Sequence, residues 1–160
     1  MRTALQMVRL LTVVLWVGGL AFFAFVLAPV AFGRLPSPHI AGLVVGGTLR
    51  VLHQIGLVCG GLFLVTTALR ARRGWRIESV LVVLMLAATA YSQFHILPAM
   101  ERDRSLAGGE IEAAPRTNPG REDFDRLHGV SEKVEGLVFF AGLGLILSMS
   151  RQESVRSTAL

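Results

Sequence analysis

Three histidines, His53, His95 and His128, fall in three different hydrophobic stretches of the chain, and Glu132 and Glu135 follow the last of them at helical spacing. Imidazole nitrogens bind zinc, copper, iron and nickel, so His53, His95 and His128 together form a candidate metal set, with a carboxylate completing the site. Two histidines on facing helices of a bundle could instead ligate a haem axially. A third chemistry is a proton or small-cation site, in which Glu135, His128 and Tyr91 bind or relay the charge. His128, Ser131, Glu132 and Glu135 lie at i, i+3, i+4 and i+7, which is one helix face. Tyr91 and His95 are four apart on another, and Arg50 shares a face with His53. Arginine is no metal ligand, so Arg50 is expected to pair with Glu132 or Glu135, because a paired charge is tolerated where a lone one is not. Arg50, Tyr91, Ser131, Glu132 and Glu135 thus make up the candidate ligand-binding set.

Such groups need elements that bring them to one level. The chain has 160 residues, of which 52% are hydrophobic and 17% charged, with a mean hydropathy of +0.58. That is too apolar for an ordinary soluble domain. The net charge of +5 comes from basic residues gathered between apolar runs rather than along an amphipathic face. Nucleic acid is therefore not an expected partner, and a lipid bilayer is. About 20 apolar residues cross a hydrocarbon core, and four stretches meet or approach that length: Leu10 to Phe32, Val51 to Leu69, Ile77 to Pro98 and Val134 to Ser150. The expected fold is all-α, an integral membrane four-helix bundle in a single domain. Its helices are expected at about 4–33, 38–72, 75–100 and 119–151, with an external loop at about 101–118. Ser37-Pro38 and Asn118-Pro119 offer an N-cap followed by proline at the first helical position. Thr3 with Gln6 resembles a capping box, and Gly74 is placed to end the second helix.

Arg2 and Arg9 ahead of an apolar run also suit a signal peptide, but a signal core is only ~7–15 residues, so a retained helix is expected. Arg2, Arg9, Arg70, Arg72, Arg73, Arg76, Arg151 and Arg156 fall on one side of an even-span protein. This predicts a multi-pass inner-membrane protein with both termini cytoplasmic. Gly42/Gly46 and Gly56/Gly60 form GxxxG pairs that predict close helix packing, inside the bundle or in a homo-oligomer or larger membrane complex. The single Cys59 reads as a small core residue, His39 as a loop residue, and Ser105 to Gly120 as a flexible loop. No GxGxxG after a strand, P-loop or GxSxG elbow is present, so soluble-enzyme signals are missing and an oxidoreductase is conceivable only with a haem. Three function classes stay open: a binding protein for a metal ion, haem or small cationic ligand; a structural or accessory subunit; and a small-molecule or ion transporter.

The runs LWVGGLAFFAFVLAPVAF (Leu15 to Phe32), AGLVVGGTLR (Ala41 to Arg50), FHILPAMERDR (Phe94 to Arg104) and FDRLHGVSEKVEG (Phe124 to Gly136) resemble the transmembrane protein 205-like family of small four-helix membrane proteins. The F-x-x-L-H-x-x-S pattern of Phe124, Leu127, His128 and Ser131 is the most specific part. The resemblance implies an integral membrane protein. One relative's association with resistance to a platinum drug implies metal or small-molecule handling.

Overall fold

The computed structural model describes residues 2–69 and 77–157. They form four long helices: α1 (Thr3–Arg34), α2 (Pro38–Leu69), α3 (Ile77–Leu106) and α4 (Pro119–Ser157). No strand occurs among the described residues. All four helices are long and apolar enough to cross a membrane, and side chains such as Val14, Phe25, Val58 and Leu147 stand exposed around the bundle as a lipid-facing belt. The protein is an all-α membrane bundle.

Two of the expected caps form. The Ser37 hydroxyl accepts from the Ile40 N–H at 3.2 Å. Asn118 Oδ1 accepts from the N–H of Gly120 at 2.9 Å and of Arg121 at 3.3 Å. Each satisfies donors that the first turn of a helix leaves orphaned. The Thr3–Gln6 capping box does not stand as expected, since helix already begins at Arg2. His39 lies in the first turn of α2 rather than in a loop. Gly74, with the arginines of the second connection, lies outside the described residues.

The third helix runs past Pro98 to Leu106, six residues beyond the expected end. A proline has no N–H and crowds the preceding turn. The chain absorbs this with a π turn over Ser92–Ile96, where the Leu97 N–H reaches back to the Ser92 carbonyl. Phe23–Leu27 does the same ahead of Pro29 in α1. The helix then ends in a Schellman motif. The Gly109 N–H bonds the Arg104 carbonyl at 2.9 Å, the Gly108 N–H bonds Ser105 at 3.1 Å, and both glycines take positive φ. Within residues 110–118, part of the loop expected there, two side chains are anchored against the bundle. Ile111 and Ala114 are buried, and the Arg121 guanidinium donates to the carbonyls of Glu112 and Ala114.

Neighbours in sequence are neighbours in space: α1 packs on α2, α2 on α3, α3 on α4, and α4 closes the ring on α1. The pairs α1/α3 and α2/α4 therefore face each other across the two diagonals. Trp16 fills the middle, only 3% exposed. It packs on the second glycine pair of α2: a Cβ on Gly56 would collide with the indole, and one on Gly60 would come within 2.7 Å of it and 2.6 Å of Leu86. Gly56/Gly60 is thus an internal packing surface. Gly42 and Gly46 are not, since added Cβ atoms there would have ordinary or no contacts.

Candidate functional site

Counting about 20 residues from Leu69, Ile77 and Arg151 toward the α3–α4 loop reaches Leu49, Leu97 and Ser131. These mark one boundary of the hydrocarbon layer. His53 on α2, Gln93 on α3 and Glu135 on α4 each lie four residues inside it, about 6 Å deep. The three side chains meet there. His53 is 1% exposed. Its Nε2 lies 2.8 Å from Glu135 Oε1, and its Nδ1 lies 3.2 Å from Gln93 Oε1. The Ser92 hydroxyl donates to the same Glu135 oxygen at 3.0 Å. Glu135 Oε2 is buried and has no hydrogen-bond partner. The contact joins α2 to α4, so it braces one diagonal of the bundle.

The sequence places these residues here by periodicity. Leu49, His53, Gly56, Gly60 and Phe63 are buried at alternating steps of three and four along α2. On α4 Ser131, Val138, Ala141 and Leu145 mark the inward stripe, with Glu135 on it. On α3 the buried line runs Glu78, Val82, Met85, Thr89, Ser92 and Ile96.

The three histidines do not converge. His95 is exposed and edges the exposed Tyr91 ring, their centroids 5.5 Å apart. Both sit one position off the buried line of α3. His128 is off the line that Leu127 and Ser131 follow on α4. It lies half exposed, 3.4 Å from the more exposed Glu132, and stacks on Phe124. Among the described residues, no group of three or more His, Cys, Asp and Glu side chains is placed to hold a metal ion. His53 has both ring nitrogens engaged by protein groups, which leaves none free for an axial ligand bond to haem in this arrangement.

Arg50 does not pair with Glu132 or Glu135. It is exposed and takes part in none of the ion pairs among the described residues. Helix rotation is the reason: His53 turns inward, so Arg50, three residues earlier, turns toward the α2–α3 surface. There it lines an open cleft of about 440 Å³ with Gln93, Pro98, Glu101, Arg102 and Ser105. Ser131 is buried on the inward stripe of α4. Of the candidate ligand set, only Glu135 enters the His53 contact.

Two participants escaped sequence reasoning. Gln93 and Ser92 are ordinary polar residues in an apolar run, and the signal for them was the buried line of α3 itself. The other omission lies at the opposite end of the bundle. Arg9 Nη2 donates to Glu78 Oε2 at 2.7 Å, with the side chains 6% and 1% exposed. The guanidinium also stacks over Phe63, 4.4 Å from the ring centroid. This pair joins α1 to α3 across the second diagonal. An isolated acidic residue one position into a membrane helix, Glu78, was its sequence signal.

The chain belongs to the family described as a domain of unknown function (DUF4149), which matches residues 11–105. The matched segment contains His53, Ser92, Gln93 and the cleft residues, and ends before α4 supplies Glu135. No curated protein and no solved structure matches the chain.

Proposed function

We propose that this small multi-pass membrane protein takes up and releases a proton at the His53–Glu135 pair, which puts it in the transporter class. The observation that carries this reading is Glu135 Oε2, buried in a membrane helix with no partner while its sister oxygen holds His53 and Ser92. A contact serving packing alone would satisfy both oxygens, because a bare buried acceptor costs about 1–3 kcal/mol. An ionisable group at that depth is costly unless it pairs or works, and a proton is the smallest cation the pair can hold. The test is a pH titration of the purified protein in lipid nanodiscs. The His53 ring nitrogens are followed by NMR, and the Glu135 carboxyl by infrared spectroscopy against a Glu135→Gln control. The pair is expected to take up and release one proton as a coupled unit, read at the ring, at the carboxyl or at both. If neither changes between roughly pH 4 and pH 9, a window spanning the ordinary Glu and His ranges, the reading fails.

A second reading, a structural or accessory subunit, is favoured by one observation. His53–Glu135 and Arg9–Glu78 brace the two diagonals from opposite ends of the bundle. The resemblance to transmembrane protein 205-like proteins belongs to this level too. It is supported by the Phe124, Leu127, His128 and Ser131 pattern, outside the segment matched by the family.

The same reading sets the protein in the inner membrane, with both termini in the cytoplasm and the α3–α4 loop outside. The distribution of arginines supports this. A cysteine at the exposed Gly108 should react with a membrane-impermeant maleimide added to intact cells, while the buried Cys59 stays silent. Reaction only after the cytoplasmic face is opened would reverse the orientation.

A further inference from the structure

We infer that the cleft between α2 and α3 is an anion site for a carboxylate or phosphate group, and that Gln93 couples its occupancy to the proton held by His53. The coupling rests on the proton reading above; the anion site does not. Arg50 and Arg102 line this cleft and are exposed. Among the described residues neither makes an ion pair, a side-chain hydrogen bond or a ring contact. Arg104, by contrast, is stacked over Phe124. Glu101 lines the cleft as well, so two guanidinium groups face one carboxylate and the lining is net positive. A guanidinium presents a planar fork that matches carboxylate and phosphate oxygens in pairs. The cleft opens at the membrane boundary, where a lowered dielectric strengthens such contacts, and about 440 Å³ lies within the range of small-ligand sites.

Gln93 belongs to both the cleft and the buried pair. The two ends of its amide go with two states of the ring: an –NH2 turned to His53 Nδ1 needs Nδ1 bare, and an Oε1 turned to it, as placed at 3.2 Å, needs an Nδ1–H that donates. The carboxamide –NH2 is then the group left for the cleft. With Nδ1–H fixed, Nε2 and Glu135 Oε1 at 2.8 Å must share a further proton, since a bare Nε2 lone pair would otherwise abut a carboxylate. With the amide turned this way the pair would hold two protons: imidazolium with carboxylate, or Nδ1–H imidazole with carboxylic acid. Loss of one proton leaves Nε2–H donating to the carboxylate and Nδ1 as an acceptor. Gln93 must then turn its –NH2 to Nδ1, which points its carbonyl oxygen at the cleft. A donor facing the cleft favours an anion and an oxygen repels one, so anion binding and proton uptake reinforce each other reciprocally.

The other groups around His53 leave this linkage intact. From α4 the facing ionisable group is Glu135. From α3 the contacts are the neutral Gln93 and, through Glu135, Ser92, with Glu101 and Arg102 beyond Gln93 in the cleft. On α2 itself Arg50 precedes His53 by one turn. From α1, Arg9 is held by Glu78 and Arg34 is exposed.

The test uses the full chain in nanodiscs of zwitterionic lipid, titrated calorimetrically with inorganic phosphate and with acetate in buffers of different protonation enthalpy. A parallel arm purifies the protein from membranes containing phosphatidylglycerol and reads retained lipid by native mass spectrometry. Saturable binding of phosphate or acetate with proton uptake assigns the site to a soluble anion. Retained phosphatidylglycerol without free-anion binding assigns it to a lipid headgroup. In either case the Arg50→Gln, Arg102→Gln double variant, altered only at exposed positions, should lose roughly tenfold or more in affinity or retention. Gln93→Leu should bind the anion more weakly, having lost the donor that faces the cleft, and what binding remains should carry no linked proton. No binding in either arm, or equal binding by the double variant, overturns the anion site. Unchanged proton linkage in Gln93→Leu overturns the coupling. If anion binding depends on the arginines while His53 and Glu135 fail to titrate, the cleft assignment stands and the proton reading falls.

Discussion

Glu78→Ala should destabilise the bundle by about 3–5 kcal/mol, the usual result of leaving one member of a buried ion pair without its partner. Arg9 and Glu78 are 6% and 1% exposed and 2.7 Å apart. After truncation the guanidinium keeps, among the described residues, only the face of Phe63, and its Nε is already without a hydrogen-bond partner there. Removing both charges together, as Arg9→Met with Glu78→Leu, should cost far less than either single change, because the desolvation penalty disappears with the pair. Equilibrium unfolding in a fixed detergent, followed by near-ultraviolet circular dichroism of the aromatic side chains, would measure all three. A loss below about 1 kcal/mol for Glu78→Ala would mean the pair is worth no more than a water-screened one, and that α1 and α3 are held by packing alone.

That pair also marks where sequence reading stopped. Arg9 was legible as a cation at a helix end, and it served as a marker of membrane sidedness. Its burial could not be read, because it depends on α1 and α3 standing on a diagonal, a consequence of the ring order of four helices. Local features were legible. Ser37 and Asn118 cap helices because their side-chain oxygens replace carbonyls that the first turn lacks, a rule confined to a few consecutive residues. The Gly56/Gly60 packing was legible as a pattern, whereas its partner, Trp16, was not. The end of the third helix was legible only to about residue 100: a π turn at Ser92–Ile96 accommodates Pro98 and the helix runs on to Leu106.

For the site, the helices that carry it were legible and their rotation was not. The sequence groups His53, His95 and His128, and of these His53 alone turns inward, where it meets Glu135. Polarity alone groups His95 and His128 with it, as though every polar residue of a membrane helix faced inward. At a membrane boundary the opposite holds as often, since histidine and tyrosine carry polar tips that water and headgroups satisfy. The apolar and small residues fix the rotation instead. Val82, Met85 and Thr89 turn Ser92 inward on α3, which leaves Tyr91 and His95 about 100° away around the helix.

A double-mutant cycle on His53 and Glu135 should give a coupling of about 1–2 kcal/mol, the double variant losing less than the sum of the singles. His53→Ala strips Glu135 of its strongest partner and leaves Ser92 as its remaining donor. Glu135→Ala strands both the His53 ring and the Ser92 hydroxyl. Either single change also opens a cavity between α2 and α4, which share little backbone packing across the diagonal. Glu135→Gln should recover part of the loss, because a carboxamide oxygen still accepts from Nε2–H while the titrating charge is gone. The comparison cycle is His128 with Glu132, a pair with half or more of each side chain exposed at 3.4 Å, where additivity within about 0.5 kcal/mol is expected. Additivity of the same size for His53 and Glu135 would mean the two groups do not interact energetically, and the brace between α2 and α4 would have to come from apolar contacts alone.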